Sequence, residues 1–145
     1  ENGSSSPFHL IGHLYLFIDH LTRSTDGVKV HHSSKLRDFY IHEAIEFIEH
    51  NFQNDISVED IADVCGLNRS YFGKIFKEAL GKSPQEFLLN YRMVKAAELL
   101  KLTKLSVGDI SSAVGYGNQL HFSRAFKSIY GVSPKKWRTE QILNE

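Results

Sequence analysis

Apolar residues recur at spacings of three and four along most of the chain, the period that gathers them on one face of an α-helix. Residues 8–22 are the first such stretch, a predicted apolar helix carrying Phe8, Leu10, Ile11, Leu14, Leu16, Phe17, Ile18 and Leu21. Residues 23–34, from Arg23-Ser24-Thr25-Asp26-Gly27 to His31-His32-Ser33-Ser34, break the period and read as a linker. Ser34 then suits the cap of a helix to about Phe52, with Ile41, Ala44, Ile45, Ile48 and Phe52 as its stripe.

Further on, the pattern repeats itself. With an offset of 49, Ser57-Val58, Asp60-Ile61 and Gly66 fall on Ser106-Val107, Asp109-Ile110 and Gly115. Past that glycine the offset becomes 50, so that Phe72, Phe76-Lys77, Gly81 and Ser83-Pro84 fall on Phe122, Phe126-Lys127, Gly131 and Ser133-Pro134. The second copy therefore has one more residue in its turn. Each copy opens with Ser followed three residues later by Asp, the pattern of a helix cap whose N3 side chain bonds back. A short apolar-faced stretch follows, then a glycine able to leave a helix with positive φ, then a longer amphipathic stretch anchored on two phenylalanines. A short helix, a tight turn and a longer helix make a helix-turn-helix, at about 57–80 and again at about 106–130.

Between the copies, Ser83-Pro84-Gln85-Glu86 places a cap before a proline at the first helical position, predicting a linker helix over about 84–102. Its apolar residues (Phe87, Leu88, Tyr91, Val94, Ala97, Leu99, Leu100) spread over more than one face, as a helix serving both copies requires. Ser133-Pro134 starts a last helix, whose Trp137 is expected to close the second copy as Phe87 closes the first. The expected fold is all-α: two helix-turn-helix subdomains joined by a long linker helix, about seven helices, preceded by an extra N-terminal helix.

The second helix of each copy has the two faces a recognition helix needs, one apolar to hold it and one polar near its start to meet base edges. The candidate base-reading residues are Arg69, Ser70, Gly73 and Lys74 in the first, and Asn118, Gln119, Leu120, His121, Ser123 and Arg124 in the second. Gln119 suits adenine, Arg124 suits guanine, and an exposed Leu120 suits a thymine methyl. Lys77 and Lys127, a turn or more further on, suit phosphate, as do the caps Ser57 and Ser106. Lys135, Lys136 and Arg138 read equally well as a backbone clamp and as an exposed basic terminus. A polar stripe on one surface helix is ordinarily only a solvated face; two registered copies favour the reading function.

Composition changes the picture in a few places. The 145 residues have no net charge, which argues against nucleic acid until the chain is divided: residues 1–55 carry −4 and residues 56–145 carry +4, so the basic half is the half with the repeats. No run of apolar residues is long enough to span a membrane. The start, Glu1-Asn2-Gly3-Ser4-Ser5-Ser6, has neither Met nor signal-peptide order, so a longer protein with an upstream domain is expected, in the cytoplasm. The lone Cys65 has no cysteine partner and sits at an apolar helix position, a core residue in this reading. His9 and His13, four apart, with His20, His31 and His32 nearby, lack an acidic ligand at convincing spacing, and no glycine-rich phosphate loop is present. No cofactor, metal or catalytic residue is expected, and the chain is not read as an enzyme.

The segment Ser57 to Trp137, with Gly66, Phe76-Lys77, Gly81 and Ser83-Pro84 followed by Gly115-Tyr116, Phe122-Ser123-Arg124, Phe126-Lys127, Gly131 and Ser133-Pro134, resembles the DNA-binding domain of the AraC/XylS transcription regulators. The resemblance covers about residues 35–140. It implies a bacterial regulator of double-stranded DNA whose two recognition helices enter successive major grooves, with RNA polymerase as a partner. It also implies an absent N-terminal sensor domain for a small molecule such as a sugar, residues 8–22 being the tail of that domain and a contact for a homodimer. The leading expectation is a transcription activator of sugar-use genes; the alternative is a dimerising interaction module for which DNA is secondary. Gly73 departs from the family, leaving a bare position where a reading side chain is common.

Overall fold

The computed structural model describes residues 31–143. Among these are seven α-helices and no strand: α1 His31–Asn51, α2 Val58–Val64, α3 Arg69–Leu80, α4 Pro84–Leu102, α5 Val107–Ala113, α6 Gln119–Tyr130 and α7 Pro134–Leu143. The helix expected over 8–22 and most of the linker lie outside the described residues. The linker's last four residues do not: 31–34 are helical, and α1 starts three residues ahead of the expected Ser34 cap. No Gly or Pro stands between Gly27 and Ser34, and His and Ser cost a helix at most about 0.7 kcal/mol each relative to Ala. Apolar period is the signal that sequence offers, and His31-His32-Ser33-Ser34 contain no apolar residue to carry it.

The described chain divides into two compact units, residues 31–50 with 58–84 and residues 51–57 with 85–143. The chain thus passes between them three times, and the short segment 51–57, between two helices of the first unit, belongs to the second. The linker helix α4 groups with the second unit from Gln85 onward. Met93, Ala96, Ala97 and Leu100 explain why, since they are buried in one cluster with Ile110, Val114, Phe122 and Phe126. Tyr91 and Met93, about 200° apart around a helix, are both buried, so α4 is covered on opposite sides, as its scattered apolar pattern requires.

In the first unit the buried residues are the α1 stripe Ile41, Ala44, Ile45 and Ile48, Ile61 and Ala62 of α2, and Phe72, Ile75, Phe76 and Leu80 of α3. Phe72 and Phe76, one turn apart, have ring centroids 5.5 Å from each other. Cys65 is half-buried, its thiol donating to the Tyr40 carbonyl. Burial first, and Glu43 second, push its pKa up, so it stays a thiol.

In the second unit Phe122 and Phe126 repeat the pair, at 5.9 Å. Trp137 of α7 closes this unit as expected, its ring meeting Phe126 edge-on at 6.0 Å and Tyr130 at 5.7 Å. Such aromatic pairs add about 0.5–1.5 kcal/mol beyond the area they bury. Arg138, also of α7, donates from Nε to the Leu100 carbonyl (3.0 Å) and from Nη2 to the Leu105 carbonyl (2.7 Å). It thereby satisfies backbone acceptors at the end of α4 and in the loop after it, where no helical partner exists.

Candidate nucleic-acid interface

The two copies build their turns by the same means. Gly66 and Gly115 are left-handed, at φ 67° and 88°. The next residue's amide reaches back five residues, Leu67 to the Ala62 carbonyl and Tyr116 to that of Ser111, closing the end of each helix. Two residues then separate Gly66 from α3 and three separate Gly115 from α6, which is the extra residue seen in the sequence register.

An asparagine ends each turn and starts each recognition helix. The Asn68 side chain accepts from the Tyr71 amide at 2.9 Å, and that of Asn118 accepts from the amides of Leu120 (2.9 Å) and His121 (3.1 Å). Asn118, expected to read a base, is therefore a helix cap: its carbonyl oxygen is turned onto the backbone of α6, where it meets amides that have no other partner. At the far ends Gly81 and Gly131 close the helices, each amide bonded to the carbonyl four residues back, on Lys77 and Lys127, at 2.8 Å.

Between these ends, the faces opposite the phenylalanines are open to solvent. Arg69, Ser70, Lys74 and Lys77 are exposed on α3, and Gln119, Leu120, His121, Arg124 and Lys127 on α6, with Ser123 half-buried. Leu120 is 57% exposed, an apolar side chain with no intramolecular reason to stand there. Gly73 has a helical backbone, and a Cβ built on it would meet nothing within 4 Å, so its bareness leaves room on the reading face. Arg69 is not a free reader: its guanidinium is paired with Glu59 of α2. Tyr71, which the sequence reading passed over, is 50% exposed in the first turn of α3. The 50-residue offset that aligns Phe72 with Phe122 sets Tyr71 on His121, and that register was the signal available for it.

Among the expected phosphate contacts, Lys77, Lys127, Lys135 and Lys136 are exposed, Lys136 beside Glu140 at 3.7 Å. Two others are otherwise engaged. Ser106 forms the capping box of α5, accepting from the Asp109 amide and donating to the Asp109 carboxylate at 2.6 Å, so a negative charge already occupies its donor. Arg138 holds backbone carbonyls, as described above, and is a brace of the second unit. Ser57 is exposed immediately before α2.

A further group, not found from sequence, lies behind the second turn. Arg92 of α4 donates from Nε to the Phe52 carbonyl and from Nη2 to the Asn54 carbonyl, both at 2.8 Å. Its guanidinium carbon also lies 5.8 Å from the centre of the Tyr116 ring. Burial lowers its pKa, against smaller opposing contributions from Tyr116 and Asp55. A Cβ on Gly115 would fall 2.6 Å from the Phe52 carbonyl oxygen and 3.0 Å from Arg92 Nη2, so this position needs glycine for space as well as for φ.

Two capped and anchored recognition helices, each with a solvent-facing polar first turn, define a DNA-binding protein of the double helix-turn-helix class. A family model described as a helix-turn-helix domain matches residues 61–140, more than half of the chain. The chain belongs to the AraC family of DNA-binding transcription regulators. It is 34% identical over 131 residues to the Msm operon regulatory protein of Streptococcus mutans, covering 90% of this chain and 47% of that one. To the lactose operon transcription activator of Staphylococcus xylosus it is 39% identical over 104 residues, 72% of this chain and 37% of the relative. The chain thus spans less than half the length of either. A transcriptional regulator structure from Chromobacterium violaceum, described as of the AraC-type DNA-binding domain proteins, superposes with a TM-score of 0.66 at 29% identity, over 70% of this chain and 91% of that one. The family and these relatives are regulators, not enzymes. Among the described residues, no helix is long and apolar enough to cross a membrane.

Proposed function

We propose that this chain is the DNA-reading part of a transcription activator of sugar-use genes, and that it reads two successive major grooves with α3 and α6. The observation that carries the proposal is the duplicated first turn: each recognition helix is fixed by an asparagine cap and a buried phenylalanine pair and leaves a polar face to solvent. In the first unit Ser70, Tyr71 and Lys74 face the bases, with Arg69 shared with Glu59 and Gly73 leaving room. In the second, Gln119, Leu120, His121, Ser123 and Arg124 do so. Lys77, Lys127, Lys135, Lys136 and Ser57 meet phosphate, where contacts fix register without reading sequence.

The name of the Staphylococcus xylosus relative, a lactose operon transcription activator, supports both the activating role and the sugar genes. On this reading RNA polymerase is a partner in the cytoplasm, the effector is a sugar bound outside this chain, and a second copy joins through residues 8–22 and an upstream domain. The test is selection of bound duplexes from random DNA followed by footprinting. Two protected major-groove segments about one helical turn apart, roughly 34 Å, are expected, with different sequences in each. A single protected groove would sink the two-helix reading, and absence of any selected sequence would sink base reading altogether.

A further inference from the structure

A short chain of packed groups connects the guanidinium of Arg92 with the first turn of α6. Arg92 holds the carbonyls of Phe52 and Asn54, which fixes segment 51–57 within the second unit. The Phe52 carbonyl is the surface on which Gly115 closes, with no room for one more carbon. The next residue, Tyr116, lies under the same guanidinium and meets Phe122 edge-on, ring centroids 5.8 Å apart. Phe122 is fully buried and stands in α6 between His121 and Ser123. The Phe52 ring in turn meets Tyr91 of α4 at 5.1 Å, so the segment is held on both its backbone and its side chain.

We infer that Arg92 is a positioning residue for the second recognition helix: it sets where the Gly115-Tyr116 turn closes, and through Phe122 where the first turn of α6 presents its reading groups. The inference rests on the proposed DNA-reading function. The carbonyls and the ring that Arg92 meets all belong to the second unit, and in the first unit a Cβ on Gly66 meets nothing within 4 Å. Arg92 therefore acts on one half of the site. Lysine does not replace it, because two carbonyls at fixed separation are met by the planar fork of a guanidinium and not by a single ammonium.

The experiment compares the unaltered chain with Arg92→Ala and Arg92→Lys on a duplex selected by the unaltered chain from random DNA. Each base pair of that duplex is changed in turn, and Arg124→Ala marks the half read by α6. Thermal unfolding gives the folded fraction at the assay temperature. Arg92→Ala is expected to lose about tenfold in discrimination between right and wrong base pairs in the α6 half, the worth of one good base contact. Discrimination in the other half and affinity for random DNA should hold. Arg92→Lys, which keeps the charge and one donor, should fall between the two and supplies the reading if the alanine variant does not fold. Unchanged discrimination in the α6 half, or an equal loss in both halves at equal folded fraction, overturns the role given to Arg92. An unaltered chain that selects no sequence is a different failure, that of the DNA-reading proposal itself.

Discussion

Asn118 and Gln119 are adjacent polar residues at a helix start, and the sequence made both look like readers of bases. Only the backbone separates their tasks. An oxygen placed before the first helical turn meets unbonded amides at once, and satisfying them is worth about 1 kcal/mol, so Asn118 turns inward while Gln119 stays in solvent. The same distinction separates Arg138, whose guanidinium holds two carbonyls, from its neighbours Lys135 and Lys136, which remain exposed. Residue type and position foretold the solvent-facing side of α6, where Gln119, Leu120, His121 and Arg124 are exposed. They did not show that Tyr71, beside the buried anchor Phe72, is half-exposed. At this scale Arg124 and Lys127 divide the work most clearly. Arg124→Ala should relax the preference at one base pair, whereas Lys127→Ala should weaken binding to all sequences alike and reduce the salt slope by about one. Titrations of specific and random duplexes at several salt concentrations check this; identical losses on both duplexes for both variants would contradict it.

At the scale of elements, the register of the repeat foretold α2, α3, α5 and α6, and Ser-Pro foretold the starts of α4 and α7. Caps, turn glycines and proline are local instructions, each carried by one or two residues, so they remain legible without any tertiary information. The start of α1 was not, since its first turn has no apolar period to reveal it. Nor was the difference between the two turn glycines, which sequence presents as equivalents. Gly66 and Gly115 share a positive φ, but only Gly115 is crowded. Gly66→Ala should cost about 1–2 kcal/mol, the strain of a left-handed alanine. Gly115→Ala should cost at least about 1 kcal/mol more, because its methyl lands on the Phe52 carbonyl and something in a packed unit must shift. Denaturant unfolding of the two variants measures the difference, and equal costs would mean that the turn relaxes freely.

For the molecule as a whole, charge was the most legible property: the excess of basic groups from residue 56 onward falls in the part of the chain that holds both helix-turn-helix copies. The grouping of α4 and of segment 51–57 with the second unit was not, because it depends on contacts between residues some forty positions apart, such as Arg92 with Phe52. Folding also leaves a mark on pH dependence. Burial is the main cause raising the pKa values of Cys65, Tyr116 and Tyr130, with Glu43 adding to the first and Glu98 to the last, while Arg92 works against it at Tyr116. For an acid with a raised pKa the folded state keeps its proton longer than the unfolded one. The stability these groups contribute is therefore whole well below pH 9.0, where the unfolded thiol is half ionised, and is lost as pH rises through the folded values. The melting temperature should hold from pH 7 to about 8 and then fall, and Tyr116→Phe should fall less steeply. A level profile to pH 11 would show that these groups open to solvent without cost.

The passage of residues 51–57 into the second unit also bears on where the protein can be cut. A fragment beginning at Pro84 contains the whole second repeat, yet it lacks Phe52 and the two carbonyls that Arg92 holds, and so keeps the letters of a lobe without its floor. The unit that repeats in the sequence and the unit that stands together in space are different objects. Anyone grafting the second reading head onto another protein must carry seven residues from before the first.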